Sequence, residues 1–356
     1  MSRIFQIYGN DSHDMTLKLL DASNAIELVP SGGNVALKPN LVIAGRPEQG
    51  AVTHSGVLSG CIEYFRDNGI KDLSIIEGSW LGDETMRAMR TAGYDEVCRK
   101  YDVQFHDLKK DSVRRVKTAI GDMEICSRAL DSGLLVNLPV LKGHGQTKMT
   151  CALKNLKGCL PDKEKRRFHA LGLTKPIAAL GAYLRPRLTV VDSICGDLNF
   201  EEGGTPVHTN RMYLGTDPVQ LDSYGRSLMG LMPEDVKYIE LAAQYGGGSA
   251  HWSSSDIVLL NQPVDDTSYP KPSGIVSRLT KHVHEDQACS SCFAALVRAL
   301  HTSGMGHDRE IYIGQGWTNK KINGLGIGKC CKGASMCVMG CPPTADEIAK
   351  RLADVN

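Results

Sequence analysis

The chain has 356 residues, of which 42% are hydrophobic, 23% charged and 6% aromatic, and its formal net charge is +1. This length allows two domains with a sizeable core. The balanced charge and the few aromatic residues argue against a dedicated nucleic-acid binder. The amino-terminal sequence has no apolar signal core, and no window approaches the roughly 20 apolar residues of a membrane span. We therefore expect a cytoplasmic protein that binds neither nucleic acid nor membrane.

Two early strands are predicted to deliver polar side chains to one edge of a sheet. The first ends just before Lys38 and Asn40, and the second ends at Glu77. Between them, His54 precedes a helix whose apolar residues recur at helical spacing. Because successive β-α-β crossovers keep one hand, Asn40, His54 and Glu77 are expected to converge on a crevice.

The most informative stretch is Leu134–Cys159, a strand that leads into a basic loop and then a short helix. The strand has no polar alternation, which is typical of a strand buried on both faces. The loop carries Lys142 and His144 between glycines, and the helix carries Lys154 and Asn155. Ligands of open α/β sheets lie where the chain leaves the carboxyl ends of strands. We predict Lys142 and His144 as catalytic groups, with His144 as the proton donor, and Lys154 and Asn155 as ligand-binding groups, together with Lys38, Asn40 and His54.

The charge of this region supports an anionic ligand. Residues 134–175 carry nine Lys and Arg against two acids, a balance of +7 in a chain whose total is +1. A basic segment in an otherwise mildly acidic protein favours a small anion or an acidic partner protein.

Two further acids follow predicted strands. Asp192 ends the strand at 188–191, and Asp217 follows the strand at 211–214. They are candidates to orient the lysines, to hold a metal or to bind a ligand, and the alternative is that Asp217 and Asp222 serve as turn and helix-cap residues.

The segment NQPVDDTSYPKPSG at 261–274 has three prolines and no apolar periodicity, so it is predicted to be a linker. It separates a core domain at 1–262 from a C-terminal domain at 275–356. The predicted fold is α/β, with a mostly parallel sheet flanked by helices and a small cysteine-rich α+β domain at the end. Its last helix is predicted to be capped by Thr344 with Glu347 three residues on.

Cysteine content points to metal. The chain has 12 cysteines and no secretion signal, which disfavours a disulfide framework. Six of them lie in the C-terminal domain, and four have the spacing C-x2-C-x37-C-x10-C: Cys289, Cys292, Cys330 and Cys341. This is not the spacing of a zinc ribbon, and cysteine followed by proline is a feature of ferredoxin-type ligation. A 4Fe-4S cluster is favoured over zinc or metal-free redox thiols, with Cys331 and Cys337 either beside the ligands or as alternative ligands.

Several motifs together resemble the domain of unknown function 362 family, often described as iron–sulfur cluster-binding proteins. The matching segments are LKPNLV at Leu37–Val42, Thr53–His54, the stretch Val136–Cys159, VVDSICG at Val190–Gly196, GTDPVQLD ending at Asp222, and the CSSC, GIGKC and GCPP sequences of the tail. The resemblance implies an α/β core and a 4Fe-4S cluster, but no settled reaction. The extra Cys331 and Cys337 depart from the expected ligand set. A more remote similarity to the nickel-dependent lactate racemase superfamily maps no catalytic racemase residue onto this chain.

Three functions follow from this reading. The first is a redox protein in which a C-terminal cluster exchanges electrons with a ligand in the Lys/His/Asn-lined crevice. The second is a non-catalytic electron carrier or scaffold that docks an acidic redox partner. The third is a non-redox enzyme with a structural zinc.

Overall fold

The computed structural model describes residues 2–263, 270–304 and 309–354, so part of the predicted linker, at 264–269, lies outside the described residues. The chain forms two compact units. One comprises Met1–Glu164 and Thr174–Lys271, and the other comprises Lys165–Leu173 and Pro272–Asn356. The second unit includes the short segment Lys165–Leu173. The domain boundaries predicted from the sequence, 1–262 and 275–356, place this segment in the core domain.

The helices and strands of the first unit alternate through most of its length. In chain order they are β1 Ile4–Tyr8, α1 Ser12–Ala22, β2 Val35–Pro39, α2 Ser55–Asp67, β3 Leu73–Glu77, α3 Thr85–Thr91, α4 Tyr94–Tyr101, β4 Gln104–Asp107, β5 Val113–Thr118, β6 Gly121–Cys126, α5 Ser127–Asp131, β7 Leu134–Leu138, β8 Lys142–His144, β9 Lys148–Thr150, α6 Ala152–Asn155, α7 Asp162–Ala170 (which runs on into the second unit), α8 Thr174–Leu184, β10 Leu188–Asp197, β11 Pro206–Gly215, α9 Pro218–Leu228, α10 Tyr238–Gln244 and β12 Ile257–Leu259.

Eight strands form one sheet in the order β12-β1-β11-β10-β7-β2-β3-β4. The strands from β10 to β4 pair in parallel, as do β1 and β12, and β11 is antiparallel to both of its neighbours. The predicted α/β class with a mostly parallel sheet is confirmed.

The central strands are buried on both faces, as predicted for the stretch at 134–138. Every residue of β2 and of β7 is buried. On one face, Leu37 and Val136 join a core that includes Leu58 and Ile62 of α2. Because side chains alternate along a strand, Lys38 lies on the opposite face, where polar groups collect.

Strand order explains where those polar groups meet. From β2 the sheet continues to β3 and β4 on one side, whereas the later strands β7 and β10 lie on its other side. The order in which strands are added to the sheet therefore reverses between β2 and β7. In open α/β sheets, ligands bind at the carboxyl ends of the strands beside such a point.

The structure differs locally from three sequence expectations. The basic loop contains a short antiparallel pair, in which Lys142 is opposite Thr150 and His144 is opposite Lys148. The helix expected over about 84–100 is two helices separated at Gly93, whose φ of 75° a glycine adopts without strain. The strand expected at 188–191 continues to Asp197 as β10.

The second unit contains a separate small sheet. Its elements are α11 Ile275–Leu279, β13 Val283–Glu285, α12 Ser290–Thr302, β14 Ile311–Ile313, β15 Ile322–Ile327, β16 Ala334–Val338 and α13 Ala345–Ala353. The strands are all parallel and lie in the order β13-β14-β15-β16. The prediction for the last helix is confirmed, since Thr344 caps α13 and forms a capping box with Glu347.

Among the helices of the described residues, none combines the length and the apolar character that a membrane crossing requires.

We expect Gly143→Ala to destabilise the fold by about 1–3 kcal/mol, the usual cost of overpacking. A Cβ at this position would lie 2.1 Å from the carbonyl oxygen of Leu198, a backbone atom that cannot rotate away. Denaturant unfolding measures the change. Gly45→Ala is the control, because its Cβ would lie 3.3 Å from the flexible side chain of Gln49. Equal midpoints for the two variants would contradict the close approach at Gly143.

Candidate functional site

The first polar group lies between β2 and β7, where Lys38 and Asn137 are register partners. The Lys38 ammonium is fully buried and binds the Glu77 carboxylate at 2.5 Å. The Asn155 amide donates to Asn137 Oδ1 at 2.9 Å and to the Lys38 carbonyl at 3.4 Å. Asn155 therefore contacts Lys38, as predicted, but the Glu77 carboxylate neutralises the charge of Lys38.

The second group pairs a histidine with a buried carboxylate. His54 Nδ1 lies 2.8 Å from Asp192 Oδ2, and the His54 backbone N–H donates to the same oxygen at 2.8 Å. Burial lowers the pKa of His54, but Asp192 outweighs it and the net pKa is raised. In the described part of the chain Nε2 has no hydrogen bond, so Asp192 orients the ring and leaves Nε2 for proton exchange.

Thr53 and Tyr94 connect these two groups. The Thr53 hydroxyl accepts the Asn40 N–H at 2.9 Å, and the Tyr94 hydroxyl donates to the Thr53 carbonyl at 2.6 Å. Burial, followed by the charges of Asp192 and Glu77, raises the pKa of Tyr94 well above its ordinary value. Asn40 and His54 thus lie beside Thr53, and Glu77 lies close enough to Tyr94 to raise its pKa. This is in line with the expected convergence.

The third group collects the basic residues of the hairpin and of α6 around Glu201. The Glu201 carboxylate contacts His144 Nε2, and its Oε2 lies 3.6 Å from Lys154 Nζ. Lys142 donates to the backbone carbonyls of Ala51 at 2.6 Å and of Glu201 at 2.9 Å. Predicted site residues are therefore brought together, but around an acid that belongs to the protein.

Hydrogen bonds define the protonation of His144. Its Nδ1 accepts the backbone N–H groups of Gln146 at 3.1 Å and Thr147 at 3.2 Å, so Nε2 carries the hydrogen, and Nε2 lies against the Glu201 carboxylate. Burial lowers the pKa of His144 to about 4, so the ring is neutral at physiological pH. Both ring nitrogens are engaged, which makes His144 a fixed hydrogen-bond donor.

Burial also shifts the pKa values of the charged members of this group. It lowers the pKa of Lys142 to about 7 and that of Lys154 to about 8. Burial alone would raise the pKa of Glu201, but His144 and the two lysines hold it well below its usual range. At neutral pH the group therefore contains one carboxylate, one largely protonated lysine and one lysine near its midpoint.

Glu201 is a functional candidate that sequence reasoning missed. It lies between β10 and β11 in a turn organised by Asp197, which accepts the N–H groups of Asn199 at 2.8 Å and Phe200 at 2.8 Å. Neither periodicity nor a motif marks this turn. Its signal is the pair of acids before Gly203 in a chain whose basic residues need partners.

The structure does not bring Asp217 to the site. Because β11 is antiparallel to β10, its carboxyl end lies at the opposite edge of the sheet from the crevice. There Asp217 caps α9 by accepting the N–H groups of Val219 at 2.9 Å and Gln220 at 3.1 Å. Its proposed ligand-binding role is therefore corrected to the alternative, a helix cap.

Asp222 holds the helix that carries two site residues. Its carboxylate accepts the N–H groups of Ala152 at 2.6 Å and Leu153 at 3.2 Å, at the start of α6. Burial raises the pKa of Asp222 to about 7. Asp222 therefore positions Lys154 and Asn155 from α9.

In the second unit, parallel strands bring the candidate thiols to one edge. Cys289 follows β13 as the N-cap of α12, Cys330 follows β15, and Cys341 follows β16. The carboxyl ends of parallel strands share an edge of the sheet. Cys292, in the first turn of α12, lies near the exit of β15, since a Cβ at Gly328 would lie 3.4 Å from its sulfur.

The two remaining cysteines have their own environments. Cys331 is fully buried, with its sulfur 4.0 Å from the Gly314 carbonyl oxygen, and Cys337 lies within β16, with its sulfur 3.6 Å from the Gly328 carbonyl oxygen. This supports the preference for Cys330 over its neighbour.

The surroundings of the cysteine thiols favour binding of a cation. Burial raises the pKa of Cys292 far above its ordinary value, and Cys289, Cys341 and Cys330 raise it further. Burial also raises the pKa of Cys330, and thiols in such surroundings bind as thiolates when a metal supplies positive charge. The described residues contain no group of three or more His, Cys, Asp or Glu side chains arranged to hold one metal ion. Cysteine thiols are the donor type that binds iron–sulfur clusters.

The fold and the site define an α/β protein with buried polar groups at the switch point of a mostly parallel sheet. The chain belongs to the family described as Domain of unknown function (DUF362), which it matches over residues 35–227. That range contains the three polar groups and Asp222.

Two individual proteins are similar to parts of the chain. The thylakoid-associated protein sll1697 of Synechocystis sp. is 26% identical over 196 residues, which cover 52% of this chain and 58% of that protein. The chain thus spans little more than half the length of this curated relative. The structure of the lactate racemase apoprotein from Thermoanaerobacterium thermosaccharolyticum has a TM-score of 0.40 and 14% identity, over 53% of this chain and 50% of that one.

We expect Glu77→Gln to cost about 3–5 kcal/mol of stability, because it leaves the buried Lys38 ammonium without a counter-charge. Asp131→Asn is the control, since it removes an ion pair with Arg114 in which both partners are exposed and should cost at most about 1 kcal/mol. Denaturant midpoints for both variants test the prediction. Similar small losses would mean that Lys38 is not buried as a charge.

Asp192→Asn should lower the pKa of His54, because burial then acts without the opposing carboxylate. Since the folded-state pKa is raised, the stability due to this pair is fully present below the unfolded pKa of about 6.5 and is lost as pH rises through the folded value. NMR titration of labelled histidine measures the pKa. Asp217→Asn serves as the control, and an equal shift in both variants would contradict the pairing.

Proposed function

We propose that this protein is an iron–sulfur redox protein. Cys289, Cys292, Cys330 and Cys341 would hold a 4Fe-4S cluster, and the crevice of the core unit would bind an anionic small molecule. When bound, such a cluster exchanges single electrons, either with that ligand or with a redox partner protein.

The observation that carries the proposal is the convergence of thiols on Cys292. Burial raises its pKa most, and Cys289, Cys341, Cys330 and Cys331 raise it further. Three of these four are the other proposed ligands, and they follow three separate strands. Buried thiols that raise one another's pKa are unfavourable as thiolates without a cation. Gly328 lets the backbone pass close to one of these sulfurs, since a Cβ at this position would lie 3.4 Å from the sulfur of Cys292.

The core unit supplies the charge for an anionic ligand. Lys38 is balanced by Glu77, and His144 is neutral, so the positive charge that remains comes from Lys142 and Lys154. Because the pKa of Lys142 is about 7, that charge is greatest below neutral pH and falls as pH rises through 7.

Proton transfer is better assigned to His54 than to His144. His54 keeps Nε2 available and has a raised pKa next to Asp192, whereas both nitrogens of His144 are engaged inside the protein. The role first predicted for His144 is therefore revised to that of a fixed hydrogen-bond donor.

Protein purified without oxygen is expected to contain about four irons and four acid-labile sulfides per chain, with a visible band that bleaches on dithionite. Cys330→Ser should lose most of the iron, because it removes a ligand. Cys331→Ala is the matched control and should keep the iron, since its sulfur lies buried near Gly314. One zinc per chain and no iron would contradict the proposal and favour a structural site.

A further inference from the structure

Glu201 is a buried acid and does not belong to an exposed surface ion pair. It reaches from the turn between β10 and β11 to a group of basic side chains, and it is only 6% exposed. The Oε2 atom of Glu201 contacts His144 Nε2 and lies 3.6 Å from Lys154 Nζ. The backbone carbonyl of Glu201 accepts a hydrogen bond from Lys142.

The positions of the donors are set by contacts that do not involve the Glu201 carboxylate. The orientation of His144 is set by the backbone N–H groups of Gln146 and Thr147, and α6, which carries Lys154, is held by Asp222. Lys142 is anchored on the Ala51 carbonyl at 2.6 Å. A preorganised set of donors that points at one carboxylate has the properties of a ligand site.

We propose that His144 and Lys154 form a carboxylate-binding site next to the turn that Lys142 holds by its backbone, that Glu201 fills this site as an internal ligand, and that the external ligand of the crevice carries a carboxylate which displaces Glu201. This inference deepens the proposed function and rests on its anionic ligand, but it does not depend on the cluster.

The donor set favours a carboxylate over a phosphate or sulfate. His144 is a neutral donor held at Nε2, and Lys154 adds a cation, so the site matches one negative charge. A dianion would place extra negative charge in a buried site without enough partners, which is costly.

Displacement requires only the side chain of Glu201 to move. Its backbone stays tied by Lys142, and the turn is held at its base by Asp197 and at its far side by the bond from Gly204 N–H to the Gln49 carbonyl. The internal carboxylate competes at a high effective concentration, so removing it should raise the affinity for a free carboxylate.

The test compares the full-length wild type with Glu201→Ala at pH 6, where the lysines are protonated. The probe is sodium propionate, which corresponds to a glutamate side chain from Cβ to the carboxylate, and sodium sulfate at equal ionic strength is the reference anion. Calorimetry and the thermal midpoint report binding. We expect Glu201→Ala to bind propionate at least tenfold more tightly than wild type and more tightly than sulfate, and Lys154→Met in the same background to abolish the gain.

Two further variants keep the test decisive. Glu202→Ala removes the neighbouring acid and should leave propionate affinity at the wild-type value. Glu201→Gln preserves the shape and should also gain affinity, so it replaces the alanine variant if that one does not fold. Propionate binding no tighter than in wild type, or matched by sulfate, would overturn the inference. Iron measured on the same samples separates this result from the cluster, because either can fail while the other stands.

Discussion

The burial of lysine ammonium groups at the ends of parallel strands constrains the rest of the core unit. Lys38 and Lys142 are both almost inaccessible to water. A charge in such a place needs partners of fixed geometry. Lys38 has the carboxylate of Glu77, whereas among the described residues the hydrogen bonds of Lys142 Nζ go to backbone carbonyls, and burial lowers the pKa of Lys142 to about 7.

Two histidines of the same crevice show how environment divides chemical roles. His54 lies beside a buried carboxylate and keeps one ring nitrogen open, which is the arrangement of a proton-exchanging residue. His144 accepts two backbone N–H groups and donates to Glu201, which keeps it neutral. Residue type alone could not separate them, because both follow strands and both lie near glycines or helix starts.

Strand positions and strand-end residues were predictable because they depend on local sequence. The apolar run at 134–138 and the capping pair of Thr344 and Glu347 both formed as expected. The direction of β11 was not predictable, since its residues 211–214 are all buried like those of the parallel strands, and this misplaced Asp217. Glu201 was missed for a related reason, because it comes from an irregular turn whose position depends on long-range contacts with the hairpin and α6.

The bond between Asp222 and the start of α6 spans 70 residues of sequence. Contacts between distant parts of a chain form after the intervening chain is available, so they tend to appear late in folding. During synthesis, β2 and β7 emerge well before α9, and α6 lacks its anchor until Asp222 has left the ribosome. The crevice is therefore completed near the end of core assembly, and its ligand would bind a nascent chain only once α9 is in place.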